Sequence, residues 1–302
     1  MPEPWTRRWA VKHNDRMQRR EGTGLNTLAA SSGVPSSGKK VIYDFGANNG
    51  DDIPYYLKKS DLVVAVEANP TLCRQIEERF SNEIAEGRLR VENCVVAGEG
   101  HGPGVHFYLH KRHHVLGQFP EPEPSVIGDY TRVLLPSKTV IQILEEHGAP
   151  YYIKIDIEHY EEVILKELFQ HGVRPPFLSA ESQSIRVFAL LAGLGEYGAF
   201  KLVEGATVAK KYKSHRIHVD GGPEIYSFPA HSAGPFGEDI DGNWMNADDL
   251  FEVLAEKKMG WRDIHATNKV RPDPASSAGK RRRMRRHLRG WVAANLLSGK
   301  KQ

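Results

Sequence analysis

Val41-Ile42-Tyr43-Asp44-Phe45-Gly46-Ala47-Asn48-Asn49-Gly50 is an apolar run that ends in an acid and breaks into a loop of small residues with two glycines. Twenty-one residues beyond Gly46, a second apolar run, Leu62-Val63-Val64-Ala65-Val66, ends in Glu67. A strand that delivers a tight loop to a helix start, followed by a strand that ends in a carboxylate, is how a nucleoside-binding α/β sheet begins. The carboxylate can accept hydrogen bonds from two ribose hydroxyls.

Outward from this unit the chain alternates strand and helix. Strands are expected near 41–45 and 62–67, with a helix between them starting at Asp51 or Asp52, whose acids suit a helix N-terminus. Pro70 opens a second helix to about Phe80, with Leu72, Ile76 and Phe80 on one face. Leu89 to Val96 reads as the third strand, and Val105 to Leu109 as an extra strand after a glycine-rich loop. Residues 110–136 read as irregular and rich in His, Pro and aromatics, a pattern that suits a substrate-facing excursion. A short helix from Val140 precedes the strand Tyr151-Tyr152-Ile153-Lys154-Ile155-Asp156-Ile157-Glu158, a helix from about Tyr160 to Phe169, and the strand Phe177 to Glu181. A short helix near 247–257 lies in a segment, 231–274, that reads as an appendage.

The 302 residues suffice for one large domain or two small ones, with composition ordinary for a globular protein: 40% hydrophobic and 26% charged. No apolar run approaches a membrane span. Arg7-Arg8 has no apolar segment after it, which argues against export. Cys73 and Cys94 make no disulfide framework, and a reduced, cytoplasmic setting follows. Residues 1–38 read as a mobile arm. The net charge of +3 conceals an asymmetry: Lys280 to Gln302 holds nine Lys or Arg and no acid, which leaves the rest of the chain net acidic.

The first loop has Gly-x-x-x-Gly, Gly46 to Gly50, and lacks the third glycine that lets a backbone approach a pyrophosphate. S-adenosylmethionine has no phosphate; its amino-acid carboxylate can use backbone N–H groups at a helix start. The loop therefore favours this cofactor over a dinucleotide, against the plainer reading of Gly46 and Gly50 as a tight turn.

Four strand ends line up: Asp44 to Gly50, Val66-Glu67-Ala68-Asn69-Pro70, Val91-Glu92-Asn93-Cys94-Val95-Val96, and Ile153-Lys154-Ile155-Asp156-Ile157-Glu158-His159-Tyr160-Glu161. Over residues 40–230 they closely resemble the FkbM-type methyltransferases, a class I S-adenosylmethionine-dependent family. The resemblance implies a Rossmann-like sheet with helices on both faces over 39–230; beyond it the sequence reads as the appendage at 231–274 and a basic amphipathic tail at 275–302. It implies O-methylation of a hydroxyl on a sugar, glycolipid or polyketide-type product. It also implies that Glu67 holds the ribose, that Asn69 and Asn93 border the adenine with Ala68 and Cys94, and that Asp44, Gly46, Ala47, Asn48 and Gly50 cradle the methionine end. Asp156 would hold the cofactor's amino group. The family usually has Gly after the Asp-x-Glu, where this chain has His159.

An alcohol acceptor must lose a proton. His159 is a candidate base, with solvent exposure at a helix start as the alternative; Glu158 is a second candidate, and Glu181 would position substrate. Asp156, Glu158 and Glu181 offer oxygen ligands that would suit Mg²⁺, but carboxylates beside a sulfonium need no metal, and none is assigned. His101, His106, His110, His113 and His114 fall largely on strand and loop, where spacing does not gather ligands, and read as substrate contacts.

In the tail, Met284, Leu288, Trp291, Val292 and Leu296 fall near one helical face amid Arg and Lys. That suits an anionic membrane surface at 280–297, with nucleic acid or the chain's own acidic body as alternatives. Competing functions are an RNA methyltransferase using this tail and a non-catalytic cofactor-binding protein. Self-association is compatible with the architecture.

Overall fold

The structure, a computed structural model, describes residues 38–256 and 261–272. The expected arm before residue 38 and the basic tail lie outside the described residues. β1 (Val41–Phe45) is buried at every position, and β2 (Leu62–Glu67) at all but its final acid. Both lie between parallel neighbours, so each strand has two covered faces and reads as an unbroken apolar run. The helix Pro70–Arg79, which follows β2, shows how locally the sequence acts. The Asn69 side chain accepts from the Thr71 N–H at 2.9 Å, and Pro70 occupies the first turn, where its missing N–H costs nothing. Leu72 and Ile76 then bury against the sheet, together with Phe80 just beyond the helix, and contribute roughly 1.5–3 kcal/mol each.

The remaining strands are β3 (Leu89–Asn93), β4 (Val95–Val96), β5 (Gly104–His110), β6 (Tyr130–Lys138), β7 (Pro150–Ile155), β8 (Phe177–Glu181), β9 (Ala199–Glu204), β10 (His215–Val219), β11 (Gly222–Tyr226) and β12 (Arg262–Thr267). Seven form one sheet in the order β3-β2-β1-β7-β8-β12-β9, with β12 antiparallel to both neighbours. The winding reverses between β1 and β7. In open α/β sheets ligands gather outside the strand C-termini at such a switch point.

Three expectations change. The strand expected over Leu89 to Val96 divides at Cys94: β3 stays in the main sheet, while β4 pairs with β6 in a three-stranded side sheet completed by β5. Part of the segment expected to be irregular is therefore β6. The Asp52 carboxylate does not cap the helix Ile53–Leu57. It accepts from Ser232 Oγ and from the Ala233 N–H at 3.1 Å, and burial pushes it up to about 6.

The described residues of the segment 231–274 are built into the core rather than appended to it. They supply β12, and Phe236 stacks on Tyr152 with ring centroids 4.0 Å apart. Asp239 accepts from Tyr55 Oη and Lys59 Nζ, each at 2.8 Å. Among the described residues no helix is long and apolar enough to cross a membrane.

Candidate active site

The loop after β1 is held by β2. The Gly46 and Ala47 N–H groups both donate to Val66 O, at 3.0 and 3.1 Å. Gly46 has φ +85°, and a Cβ there would sit 1.8 Å from Asp156 O, so no side chain fits. Glu67 ties this loop to the next one: it accepts from the Asn48 N–H at 2.9 Å and from the Asn69 N–H at 2.7 Å. Burial pushes its carboxyl up to about 7 in spite of those donors. Asn93 Nδ2 donates to Glu67 O and Ala68 O, both at 3.0 Å, which fixes the end of β2 from the side.

Beneath the loop lies Lys154, 3% exposed. Its Nζ is 3.1 Å from Asp44 Oδ1, donates to Gly46 O at 3.1 Å, and lies 3.5 Å from Asp156 Oδ2. Burial opposes the ammonium charge, but Asp44, Asp156, Asp52 and Asp263 outweigh it and hold Lys154 well above its ordinary value. One cation thus serves several acids. Asp44 is pushed up by its own burial against the pull of Lys154.

The strand ends open into a cavity of about 320 Å³, within the size range of small-molecule sites. Its wall gathers Gly46, Asn48, Glu67, Ala68, Asn69, Cys94, Asp156, Glu158 and Glu181. Five expected residues are not on that wall. Asp44 is buried against Lys154, and Ala47 is buried behind the loop. Gly50 (φ +77°) faces Ile53, Ile76 and Phe80, so its lack of a side chain serves helix packing. Asn93 braces β2. His159 is exposed, so it is not placed to serve as the base of this cavity. It holds φ +65°, the left-handed conformation that favours glycine, which accounts for the glycine usual there in the family it resembles.

The acids at the β7 and β8 ends share a poorly solvated space. Burial, then the Asp156 charge, pushes Glu158 up to about 7 and Glu181 up to about 8. Gln183 Nε2 donates to Glu181 Oε2 at 2.6 Å. Behind them, burial pushes Glu161 to about 8 and Asp263 well above its ordinary value; Glu161 Oε1 and Asp263 Oδ1 are buried without a hydrogen-bond partner. Among the described residues, no Lys or Arg stands on the wall. Such a surface is arranged for a ligand that brings positive charge.

Among the described residues, Asp156, Glu158 and Glu181 do not come within reach of one common ion. The trio that does is Glu92, Glu146 and His147, where Lys138 Nζ already lies 2.8 and 2.6 Å from the two carboxylates. Of the histidines, His114 reaches the cavity wall. The His110 ring instead accepts from the Arg112 and His113 N–H groups at its own turn.

Sequence reasoning passed over Lys154, His231 and Trp261. A lysine inside an otherwise apolar strand was the available signal for the first, because a buried ammonium requires a carboxylate partner. Its partner Asp44 stands directly across in the β1–β7 register. Trp261 enters the wall from the supposed appendage. Its ring fills the space where a Gly205 side chain would be, 2.2 Å from the position of a Cβ.

Residues 44–187 match the family model described as the Methyltransferase FkbM domain. Among solved structures, the chain is similar to a methyltransferase FkbM from Methylobacillus flagellatus KT at 17% identity and a TM-score of 0.36. That match covers 55% of this chain and 40% of the other. It is also similar to a precorrin-6y C5,15-methyltransferase from Geobacter metallireducens GS-15 at 12% identity and a TM-score of 0.31, over 62% and 73% of the two chains. An rRNA methylase from Streptococcus thermophilus matches at 9% identity and a TM-score of 0.32, over 55% and 77%. No curated protein matches the chain.

Proposed function

We propose, on the match of residues 44–187 to the Methyltransferase FkbM domain and on the α/β sheet described above, that the chain moves a methyl group from S-adenosylmethionine to a hydroxyl of a sugar, glycolipid or polyketide-type acceptor. The observation that carries this reading is the donor set. A glycine cradle closed by Asp156 O, a ribose-type acid at the end of β2 and surplus carboxylates fit a phosphate-free nucleoside that bears a sulfonium and an ammonium.

In this reading Glu67 accepts from the ribose hydroxyls, and Gly46 and Asn48 leave room for the methionine end. Asp156, fixed by Lys154, holds the amino group. S-adenosylmethionine supplies an already activated methyl. The chain's task is to align the acceptor oxygen with it and to exclude water. Because the wall, among the described residues, carries acids and no Lys or Arg, a neutral polyol is favoured over phosphate-bearing RNA, whose recognition needs cations.

The basic segment 280–297 is assigned, on sequence grounds, to an anionic membrane surface in the cytoplasm. Co-sedimentation with phosphatidylserine vesicles that survives deletion of 280–302 would refute that assignment. Calorimetry with S-adenosylmethionine, followed by a labelled-methyl screen across neutral glycans and polyketides, tests the catalytic reading. Heat with NAD and none with S-adenosylmethionine would overturn it.

A further inference from the structure

Glu181 ends β8 inside the cavity, 5% exposed, with one oxygen held by Gln183. The groups around it come from every neighbouring element. Asp156 and Glu158 follow β7, Glu161 opens the helix Glu161–Gln170, and Asp263 lies opposite Glu181 in the β12 register. Trp261 and His231 also stand on the wall. Among the described residues the nearby cation is Lys154, already placed against Asp44, Gly46 O and Asp156. His159, the other base considered, is exposed and off the wall.

Taking the proposed function as its premise, we infer that Glu181 is the residue that takes the acceptor's proton, and that it becomes a carboxylate when a cationic cofactor enters the cavity. In the empty site Glu181 shares a desolvated space with Asp156 and Glu158, and carboxyls so placed cannot all ionise. A cation beside them offsets the repulsion and part of the cost of burying a charge, and Glu181 releases its proton to solvent. The transfer then balances. The acceptor oxygen's lone pair forms the new C–O bond as the S–C bond breaks, the S–C electron pair stays on sulfur to give a neutral thioether, and the hydroxyl proton passes to Glu181.

The test uses binding, without an acceptor. Calorimetric titration of the full chain with S-adenosylmethionine at pH 7.0, in buffers of different ionisation enthalpy, reads the protons released. Glu181→Gln is expected still to bind, with a dissociation constant weaker by about tenfold, the linkage counterpart of a proton released on binding. It should release fewer protons, by up to about 0.9 per site, the protonated fraction of a group near 8 at that pH. Glu158→Gln is expected to remove a smaller part, and S-adenosylhomocysteine, which lacks the sulfonium charge, to release fewer protons from wild type.

Equal proton release from wild type and Glu181→Gln would overturn the inference and leave the proposed function standing. No binding by wild type would instead remove the proposed function itself. Infrared difference spectra of wild type need no variant: a protonated-carboxyl band must be lost on adding S-adenosylmethionine, and its absence beforehand refutes the inference.

Discussion

Replacing Lys154 with Met keeps most of the side chain's volume and removes its charge. The ammonium is buried, 3.1 Å from Asp44 Oδ1 and 3.5 Å from Asp156 Oδ2. Removing one partner of a buried pair leaves the other charge uncompensated, at a cost of about 3–5 kcal/mol. Against a total stability of roughly 5–15 kcal/mol that is a large fraction, and it corresponds to a fall in melting temperature on the order of 10 °C.

The loss has a pH signature. Lys154 is held above its ordinary value, so in wild type its contribution is complete at all pH below that value. In the variant, Asp44 loses the cation that opposes its burial, and the folded state keeps a proton there to higher pH than the unfolded chain does. The deficit is therefore greatest near pH 8 and shrinks as pH falls toward the carboxylate range. Adding Asp44→Asn to the variant should recover part of the loss, because it removes the stranded charge. Urea unfolding of the single and double variants at pH 5 and pH 8 measures all of this. A deficit of equal size at both pH values, or no recovery in the double variant, would refute the assigned role of Lys154.

Gly46→Ala should abolish detectable S-adenosylmethionine binding in calorimetry. The new Cβ meets Asp156 O at 1.8 Å, and the left-handed backbone adds about 1–2 kcal/mol of strain. The cofactor-free protein should lose stability as pH rises from about 4.5 to 8, because Glu67, Glu158, Glu161 and Glu181 hold protons in the folded state that the unfolded chain has released. Melting temperature against pH reads this slope directly, and a flat or rising profile over that window contradicts it. His159→Gly should leave cofactor affinity and methyl transfer unchanged and raise stability by up to about 1 kcal/mol through relief of the positive φ; a large loss of transfer with folding intact would restore His159 to the chemistry.

What could be read in advance divides along a physical line. β1 and β2 are covered on both faces, so each announces itself as an apolar run, and Glu67 stands out as the acid that ends one of them. The helix Pro70–Arg79 carries its own cap and its own apolar face. β12 offers no such signal. Asp263, His265 and Thr267 alternate with Ile264 and Ala266, yet all five are buried, because the strand is inserted between β8 and β9 and takes its environment from residues far away in the chain.

The site follows the same division. Glu67 and Asp156 were legible because each sits where its own strand ends. Asp44 was misread for the same reason: it too closes an apolar run, but the register sets Lys154 directly across from it and turns a would-be ligand group into a buried counter-ion. The cation that organises the loop therefore becomes visible only when β1 and β7 are paired. That pairing also makes Asp44 and Lys154 one electrostatic unit, in which a change to either should be read out at Asp156 and Gly46, where the cofactor is expected to bind.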